Sequence, residues 1–535
     1  MTKTQRFIKN VFILTATSLI MRSISIYYNI YLKGKLGSEG IGLFTLISSV
    51  YSFSVTLATS GINLAVAKLS AEAIGKGRPE EIRKVMHRSI IYSLFFGFLS
   101  SILLFFLSPS ISLFLLDDKR CILSLRALSL SLPFLSLSSA LSGYFTAVRR
   151  VSKSAFSQFF EEGARVATTS AIFTFLAPSR LEYMCLAVVM GSISANLISF
   201  LSLLLLYLSD RRKHIKPCNH KCANMGKRLA LIALPVAISA YFRSGLVSVE
   251  HILISKGLKK YSASSAVALS SYAKVHAMAL PIILFPYAFL APFSSMIVPE
   301  IAERCAASDS EGARRVTEKA LRSVCIFSVG CSSFMICASS LLGSTLYSSN
   351  DVSFYIRLIA PLIPIMYLDT CTDAILKGCG EQLYSMKINI FDSSLSVLFA
   401  YLLVPILGIN GYILGIFVCE IVNMALSFVR MHNVIKPSLK KALPLLLPLL
   451  SGAASGFLSS LILKRLSFLR DGTLLVLHIV IFSLIYFSIL VLSGVVDRRA
   501  IISTAFERGG LHTDKAKYAK NKKRTSLTVR SFENA

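Results

Sequence analysis

Two arginines interrupt long apolar stretches of this chain. Arg22 lies in the middle of the stretch 11–31, and Arg243 lies in the middle of the stretch 229–255. A guanidinium group binds phosphate oxygens through two parallel hydrogen bonds, so a pair of arginines facing one cavity predicts a phosphate or pyrophosphate site. The alternative is structural: a backbone carbonyl could hold either arginine, or Glu250, two turns from Arg243 on the same helix face, could pair with it.

Other polar residues could complete such a site. Asn29 shares a helix face with Arg22 and could add a hydrogen-bonding group, while Lys274 begins a later apolar stretch and could line a cavity mouth. His251 and His276 lie at the same level, where a histidine is more often only interfacial. The predicted substrate-binding residues are Arg22, Asn29, Arg243, Glu250 and Lys274.

Carboxylates inside apolar stretches suggest a second kind of chemistry. Asp369 and Asp373 are spaced i, i+4, with Lys377 one turn further on. We expect Asp373 to pair with Lys377 near a helix end, which leaves Asp369 as the candidate for ion or proton coupling, with a structural role as the alternative. Glu161 and Arg165 have the same spacing and are predicted to form an ion pair.

Catalytic and metal-binding patterns are poorly represented. The chain contains no Walker A, GxSxG, HExxH or Gly-rich dinucleotide motif, so we predict that it is not an enzyme and has no catalytic residues. His214, Cys218, His220 and Cys222 fit no standard zinc spacing, and we predict no metal site. No cofactor is expected; an ion or proton gradient or the membrane potential could supply energy.

The elements that position these residues are apolar helices. Of the 535 residues 54% are hydrophobic and only 16% charged, and apolar stretches of about 20 residues, long enough to cross a bilayer, recur along the chain. We therefore predict an all-α membrane protein with about fourteen transmembrane helices. The predicted spans are 11–31, 43–67, 89–108, 122–147, 158–177, 183–208, 229–255, 270–298, 321–347, 354–377, 387–407, 410–430, 442–463 and 473–496.

Charge predicts the orientation. With the N-terminus inside, the inner segments before the C-terminal tail hold 30 Lys and Arg and the outer connections hold 11. Because cytoplasmic loops collect Lys and Arg, we predict a multi-pass protein of the cell membrane with both termini cytoplasmic. The net charge of +30 has the same explanation, and we do not expect nucleic acid as a partner.

An internal repeat divides the chain. Arg126 and Pro133 match Arg357 and Pro364 at an offset of 231, and Glu161 falls on Asp392 at the same offset. Near the first span Lys33-Gly34 meets Lys256-Gly257 at an offset of 223. Two copies with an even number of spans predict pseudo-symmetric lobes around a central cavity. The predicted organisation is a six-helix lobe at 1–210, a basic linker at 211–228, a second six-helix lobe at 229–436, accessory helices 13 and 14 at 437–496 and a basic disordered cytoplasmic tail at 497–535.

Two segments resemble a known family. They are GSEGIGLFTLISSVYSFSVTLATSGINLAVAKLSAE at 37–72 and GYFTAVRRVSKSAFSQFFEEGARV at 143–166. Both are similar to stage V sporulation protein B-like transporters of the multidrug/oligosaccharidyl-lipid/polysaccharide exporter superfamily. The resemblance implies a fourteen-helix, two-lobe fold, alternating access and transport of lipid-linked saccharides, with lipid II flippases as relatives.

Three functional hypotheses follow. The first is a flippase for a lipid-linked oligosaccharide or a lipid II-like precursor of peptidoglycan or polysaccharide, with membrane lipids as further partners. The second is a cation-coupled multidrug exporter of the same superfamily, which should line its cavity with carboxylates, whereas the charges at mid-depth in spans 1 and 7 are arginines. The third is a membrane-embedded enzyme, which would need larger loops outside the membrane than this chain has.

Overall fold

The structure is a computed structural model, which describes residues 3–75, 81–148, 150–214, 225–262, 264–306, 309–438, 443–466 and 470–495. These residues form helices and no strand, so the chain is an all-α membrane protein. The middle of the predicted linker 211–228, with Cys218, His220 and Cys222, and the predicted tail 497–535 lie outside the described residues.

Residues Met1–Leu443 form one compact unit and Pro444–Ala535 a second. The helices of the predicted first lobe are α1 Lys3–Thr59, α2 Ile62–Gly75, α3 Glu81–Ser110, α4 Cys121–Ser129, α5 Leu132–Ala147, α6 Val151–Phe175 and α7 Leu181–His214, with a π-helical turn at Ile111–Leu115 after α3.

The predicted second lobe contains shorter helices as well. They are α8 Met225–Ser262, α9 Ser265–Ala273, α10 Leu280–Ile283, α11 Tyr287–Ala306, α12 Ser310–Tyr347, α13 Asn350–Ile359, α14 Ile363–Gly378, α15 Gln382–Leu402, α16 Val404–Leu407 and α17 Ile409–Ile435, with a π-helical turn at Lys274–Ala279 and a 3₁₀ turn at Ala360–Leu362. The second unit contains α18 Leu446–Lys464 and α19 Asp471–Leu492.

Glycine and proline set the breaks in these helices. α1 includes the first predicted span and most of the second, which ends in α2, and it kinks at Gly37, whose φ of 69° is accessible to glycine at little cost. The eighth predicted span, 270–298, is broken between α10 and α11, where Pro286 lies, and Pro281 is the second residue of α10. Proline removes a helical hydrogen bond and leaves carbonyl groups available to other donors.

Among the described residues, the structure gives fewer apolar helices of membrane-spanning length than the fourteen predicted spans. Ten described helices are long and apolar enough to cross a membrane, or up to eleven if the bent pair α4 and α5 is counted as one span. The chain is therefore a multi-pass membrane protein, while the count of fourteen, the two-lobe organisation and the domain boundaries stay predictions.

Small and hydroxylated side chains bring the helices of the first unit together. Ser100 and Ser136 donate to the carbonyl oxygens of Ser54 and Ala58 on α1, at 2.7 and 2.8 Å. Ser248 of α8 donates to the carbonyl oxygen of Ser49 at 2.9 Å. Lipid gives apolar side chains no incentive to leave it, so close packing and such interhelical hydrogen bonds hold a membrane bundle together.

Candidate functional site

A cavity of about 470 Å³ lies between α1, α8, α14 and α15. Two basic side chains line it, Arg243 from α8 and Lys377 from α14. The rest of its polar lining consists of hydroxyl and amide groups: Ser52, Thr56, Ser239, Ser244, Gln382, Ser385 and Asn389. Such a lining can bind an anionic group through Arg243 and hydroxylated parts of a ligand through the neutral groups.

The surroundings of Arg243 differ from those predicted. Arg243 is exposed to the cavity and is attracted electrostatically by Asp392 of α15. Asp392 also interacts electrostatically with Glu250, the partner that the sequence suggested for Arg243. The carboxylate that attracts Arg243 is therefore Asp392 of α15, and not Glu250 as the sequence suggested.

Arg22 lies in a different environment. Its Nη1 donates to the carbonyl oxygen of Leu284, in the break between α10 and α11, and that oxygen also accepts from the Tyr287 backbone N–H at 3.1 Å. Its guanidinium carbon also lies 5.4 Å from the centre of the Tyr287 ring. Arg22 does not line the cavity around Arg243. The predicted two-arginine clamp stays a prediction, and in this conformation Arg22 has the structural contact that was its alternative.

Asn29 and Lys274 also lie apart from Arg243. Asn29 lines a cavity of about 170 Å³ together with Thr45, Ser48 and His276. Lys274 forms an ion pair with Asp351 at 2.6 Å, which occupies its charge in this conformation.

A further polar cavity, of about 240 Å³, lies within the first lobe. Its lining is almost entirely hydroxyl and amide groups, with Glu161 as the one carboxylate among them: Thr59, Asn63, Ser138, Ser139, Ser142, Ser154, Ser157, Gln158, Asn196 and Ser199. Arg165 lies 3.4 Å from Glu161 and 2.9 Å from Glu162, so the predicted Glu161–Arg165 ion pair is present.

Asp369 is held by two side chains of α17. Its Oδ2 accepts a hydrogen bond from Asn423 Nδ2 at 3.0 Å, and a hydrogen bond from Ser427 also favours the carboxylate. Asp373 accepts hydrogen bonds from Lys377 and Ser385, as expected of the paired member of the two. A carboxylate inside a membrane is costly unless it is paired or binds a proton or a cation.

Two acidic residues that the sequence analysis did not select join Asp369. Glu420 of α17 interacts electrostatically with Asp369 and with Asp392. With Glu250, this gives an acidic cluster of four carboxylates: Glu250, Asp369, Asp392 and Glu420. Both missed residues interrupt apolar stretches, so the criterion that selected Asp369 could have found them. Within the described ranges, no three His, Cys, Asp or Glu side chains are grouped to hold a metal ion.

Lysines at the predicted outer side connect the two predicted lobes. Lys256 donates to the carbonyl oxygen of Phe114 at 2.7 Å, and Lys259 to that of Leu116 at 3.1 Å, at the end of the α3 π-turn. In the opposite direction, Lys33 of α1 donates to the carbonyl oxygen of Tyr347 at the end of α12. A helix C-terminus has unpaired carbonyl groups and favours cations, so these reciprocal lysine contacts hold helix ends of the two predicted lobes together.

The family comparison covers more than half of the chain. Residues 7–298 match the family described as Polysaccharide biosynthesis protein, and residues 261–402 match the MatE family. Stage V sporulation protein B of Bacillus subtilis (strain 168) is 23% identical over 472 residues, which are 87% of this chain and 90% of that protein. The lipid II flippase MurJ of the same organism is 20% identical over 80% of this chain and 83% of that protein.

Solved structures show the same fold. The lipid II flippase MurJ in an inward closed conformation matches with a TM-score of 0.68 and 13% identity over 92% of this chain and all of that one. An inward-facing multidrug resistance MATE family transporter of the MOP superfamily matches with a TM-score of 0.59 and 15% identity over 80% and 99%. The chain thus belongs to the polysaccharide biosynthesis protein family and is a multi-pass membrane transporter of the multidrug/oligosaccharidyl-lipid/polysaccharide exporter superfamily.

Proposed function

We propose that the chain flips a lipid-linked saccharide, a precursor of peptidoglycan or polysaccharide, across the cell membrane by alternating access. In this proposal the lipid tail stays in the bilayer while the polar headgroup passes between the predicted lobes. The name of one similar protein, the lipid II flippase MurJ, and the description of the matched family, Polysaccharide biosynthesis protein, agree with this substrate class.

The observation that carries the proposal is the lining of the cavity around Arg243. Arg243 offers a planar pair of donors for a phosphate or pyrophosphate. Ser52 and Thr56 of α1, and Ser385 and Asn389 of α15, offer donors and acceptors for sugar hydroxyl groups. A hydroxylated anion uses both sets of groups, whereas an apolar cation uses neither.

The acidic cluster favours a second candidate, a cation-coupled multidrug exporter. Carboxylates at membrane depth can bind a cationic drug as well as a driving ion. The MatE match covers 261–402, which includes Asp369 and Asp392 but ends before Glu420. In our proposal the acidic cluster binds the coupling ion or proton, and the cavity around Arg243 binds the substrate.

Reconstitution distinguishes the two candidates. Purified protein in proteoliposomes would be given a fluorescent lipid-linked saccharide pyrophosphate or a cationic dye, with an imposed proton or sodium gradient. We expect the gradient to accelerate movement of the lipid-linked saccharide and to leave the dye unaffected. Dye transport without saccharide movement would overturn the proposal in favour of the exporter.

Orientation needs its own test. We propose that both termini lie in the cytoplasm, because the inner segments carry the excess of Lys and Arg. Reporter fusions at residues 75, 215 and 500 should all report the cytoplasm. A fusion at 215 that reports the outside would show that the predicted span count is wrong.

A further inference from the structure

Two histidines and two tyrosines form a buried cluster in the predicted second lobe. His251 Nδ1 of α8 lies 2.7 Å from the hydroxyl oxygen of Tyr272, and His276 Nδ1 lies 3.2 Å from that of Tyr412. The two imidazole rings meet edge to face with their centres 4.6 Å apart, and Tyr272 stacks on His276 at 5.2 Å. The four side chains therefore form one hydrogen-bonded and stacked unit, the His–Tyr cluster.

The cluster is buried but borders a cavity. Tyr272 is fully buried and Tyr412 is 6% exposed. His276 lines the cavity of about 170 Å³ that also contains Asn29 and Thr45, which is large enough for several waters. His276 also lies in the π-helical turn Lys274–Ala279, and π-helical turns occur frequently at functional sites.

We propose that the His–Tyr cluster is a proton-binding site of this transporter, separate from the acidic cluster. This inference goes beyond the proposed function, because it holds for any transported substrate. Ionisable side chains inside a membrane are costly and usually mark ion or proton pathways. The cavity supplies the water that must deliver the proton to His276.

The geometry limits the cluster to one added proton. A neutral imidazole has one N–H donor and one acceptor nitrogen, and the bond at each Nδ1 can run in either direction according to the tautomer. Two imidazolium rings with centres 4.6 Å apart would repel strongly in a medium of low dielectric. A proton bound to one ring makes both of its nitrogens donors, so its tyrosine hydroxyl must then accept.

The charged neighbours set the electrostatic environment of that proton. Glu250 of α8 interacts electrostatically with Tyr272 and Tyr412 of the cluster. It also interacts electrostatically with Asp392 of α15. From the π-turn, Lys274 is paired with Asp351 of α13. The α1 side of the cavity contributes Asn29, Thr45 and Ser48, which do not titrate. Glu250 therefore acts on the cluster through its two tyrosines.

The test is a titration of the histidine rings without substrate. The chain has 8 histidines, so protein labelled with ¹⁵N only in histidine and placed in bilayers gives few ring signals in solid-state NMR. On acidification to well below the range in which histidine ordinarily titrates, we expect one proton to enter the His251–His276 pair, because burial disfavours the charged ring. Tyr412→Phe should shift this titration, because it removes the hydroxyl partner while keeping the ring.

The control is another buried histidine. His478 of α19 is 3% exposed and hydrogen-bonded to Ser459, and it lies in the second unit. His478→Gln should leave the titration of the pair intact, whereas the double variant His251→Gln and His276→Gln should remove it. Two rings that both become doubly protonated, or neither, would overturn the proposal.

A transport assay supplies the second readout. His276→Gln should flatten the pH dependence of transport in proteoliposomes, while His478→Gln should not. Failure to detect saccharide transport would count against the proposed function only, because the NMR titration needs no substrate. A transport profile unchanged by His276→Gln, with the NMR titration absent, would reduce the cluster to a packing element.

Discussion

One pair of equivalent positions is in contact in both predicted lobes, but the chemical groups that meet there differ. In the first lobe the hydroxyl groups of Ser142 and Ser154 lie 3.1 Å apart. At an offset of 231 from both, Ser385 donates to the carboxylate of Asp373 in the second lobe. This pair of contacts supports the predicted repeat, and it shows one position changed from a hydroxyl to a carboxylate.

The same exchange recurs nearby. Ser138, which lines the cavity of the first lobe, corresponds to Asp369 at the offset of 231. Glu161 corresponds to Asp392, but Arg165, which neutralises Glu161, corresponds to Ser396. The first lobe thus presents neutral or paired groups, whereas the second presents carboxylates with fewer cations. This difference fits a division in which the second lobe binds the driving ion.

The largest expected effect comes from Asp369, a carboxylate of the predicted second lobe that corresponds to Ser138 of the first. Asp369→Asn should abolish the dependence of transport on a cation gradient while substrate binding persists, because an amide can keep a hydrogen bond to Asn423 but cannot ionise. Transport would be measured with and without the gradient. Asp373→Asn is the matched control, since Asp373 is already paired with Lys377; equal effects of the two variants would contradict the comparison.

The two arginines should separate in their effects. Arg243→Ala should abolish transport at a normal protein level, and Arg243→Lys should restore part of it, because an ammonium group lacks the planar fork of donors. Arg22→Ala should instead lower the yield of folded protein by weakening the contact to Leu284, a loss of about 1.5–3 kcal/mol for a hydrogen bond to a charged group. Transport and membrane-protein level would be measured for each variant.

The same loss of transport in both variants would support the predicted two-arginine clamp. If Arg22→Ala also abolishes transport at a normal protein level, both arginines act on the substrate in some conformation of the cycle. Normal transport by Arg243→Ala would remove Arg243 from the proposed site.

A smaller effect should follow from making the lobes alike. Ser396→Arg places an arginine one turn after Asp392, as Arg165 follows Glu161. We expect weaker coupling to the cation gradient, because an added guanidinium competes with the ion for Asp392. Gradient-dependent transport would be compared with that of Ser396→Ala, which tests loss of the hydroxyl alone. Unchanged coupling in Ser396→Arg would show that Asp392 takes no part in it.

The smallest effect is expected at the lysine contacts, where each predicted lobe supplies a lysine that donates to a backbone carbonyl of the other. Lys33→Met and Lys256→Met should each increase labelling of the predicted outer side, because each removes a donor to a helix end of the other lobe. Lys256 is exposed and Lys33 is only partly buried, which keeps the effect below that of a fully buried pair. Lys260→Met, in an exposed residue of the last turn of α8, is the control and should not change labelling. Equal labelling of all three variants would contradict a closing role.

Particular residues show how far the sequence could go. Arg22, Asp369 and the Glu161–Arg165 pair were identified because a charge inside an apolar stretch is costly and visible in one dimension. The partner of Arg22 was not visible, because Leu284 lies 262 residues away, in a break between two other helices. Asp392 and Glu420 carry the same signal in the sequence, a carboxylate inside an apolar stretch, but their proximity to Asp369 depends on how α14, α15 and α17 pack.

The sequence by itself determined the fold class, the superfamily and the positions where charge enters the membrane. Helix length, apolar composition and the placement of Lys and Arg are local properties, and a repeat needs only an alignment of the chain with itself. The tertiary structure alone decided that Arg243 borders a hydroxyl-lined cavity and that Arg22 binds a backbone carbonyl. It also gathered His251, His276, Tyr272 and Tyr412 into one cluster, since contacts between helices depend on how each helix is rotated and broken.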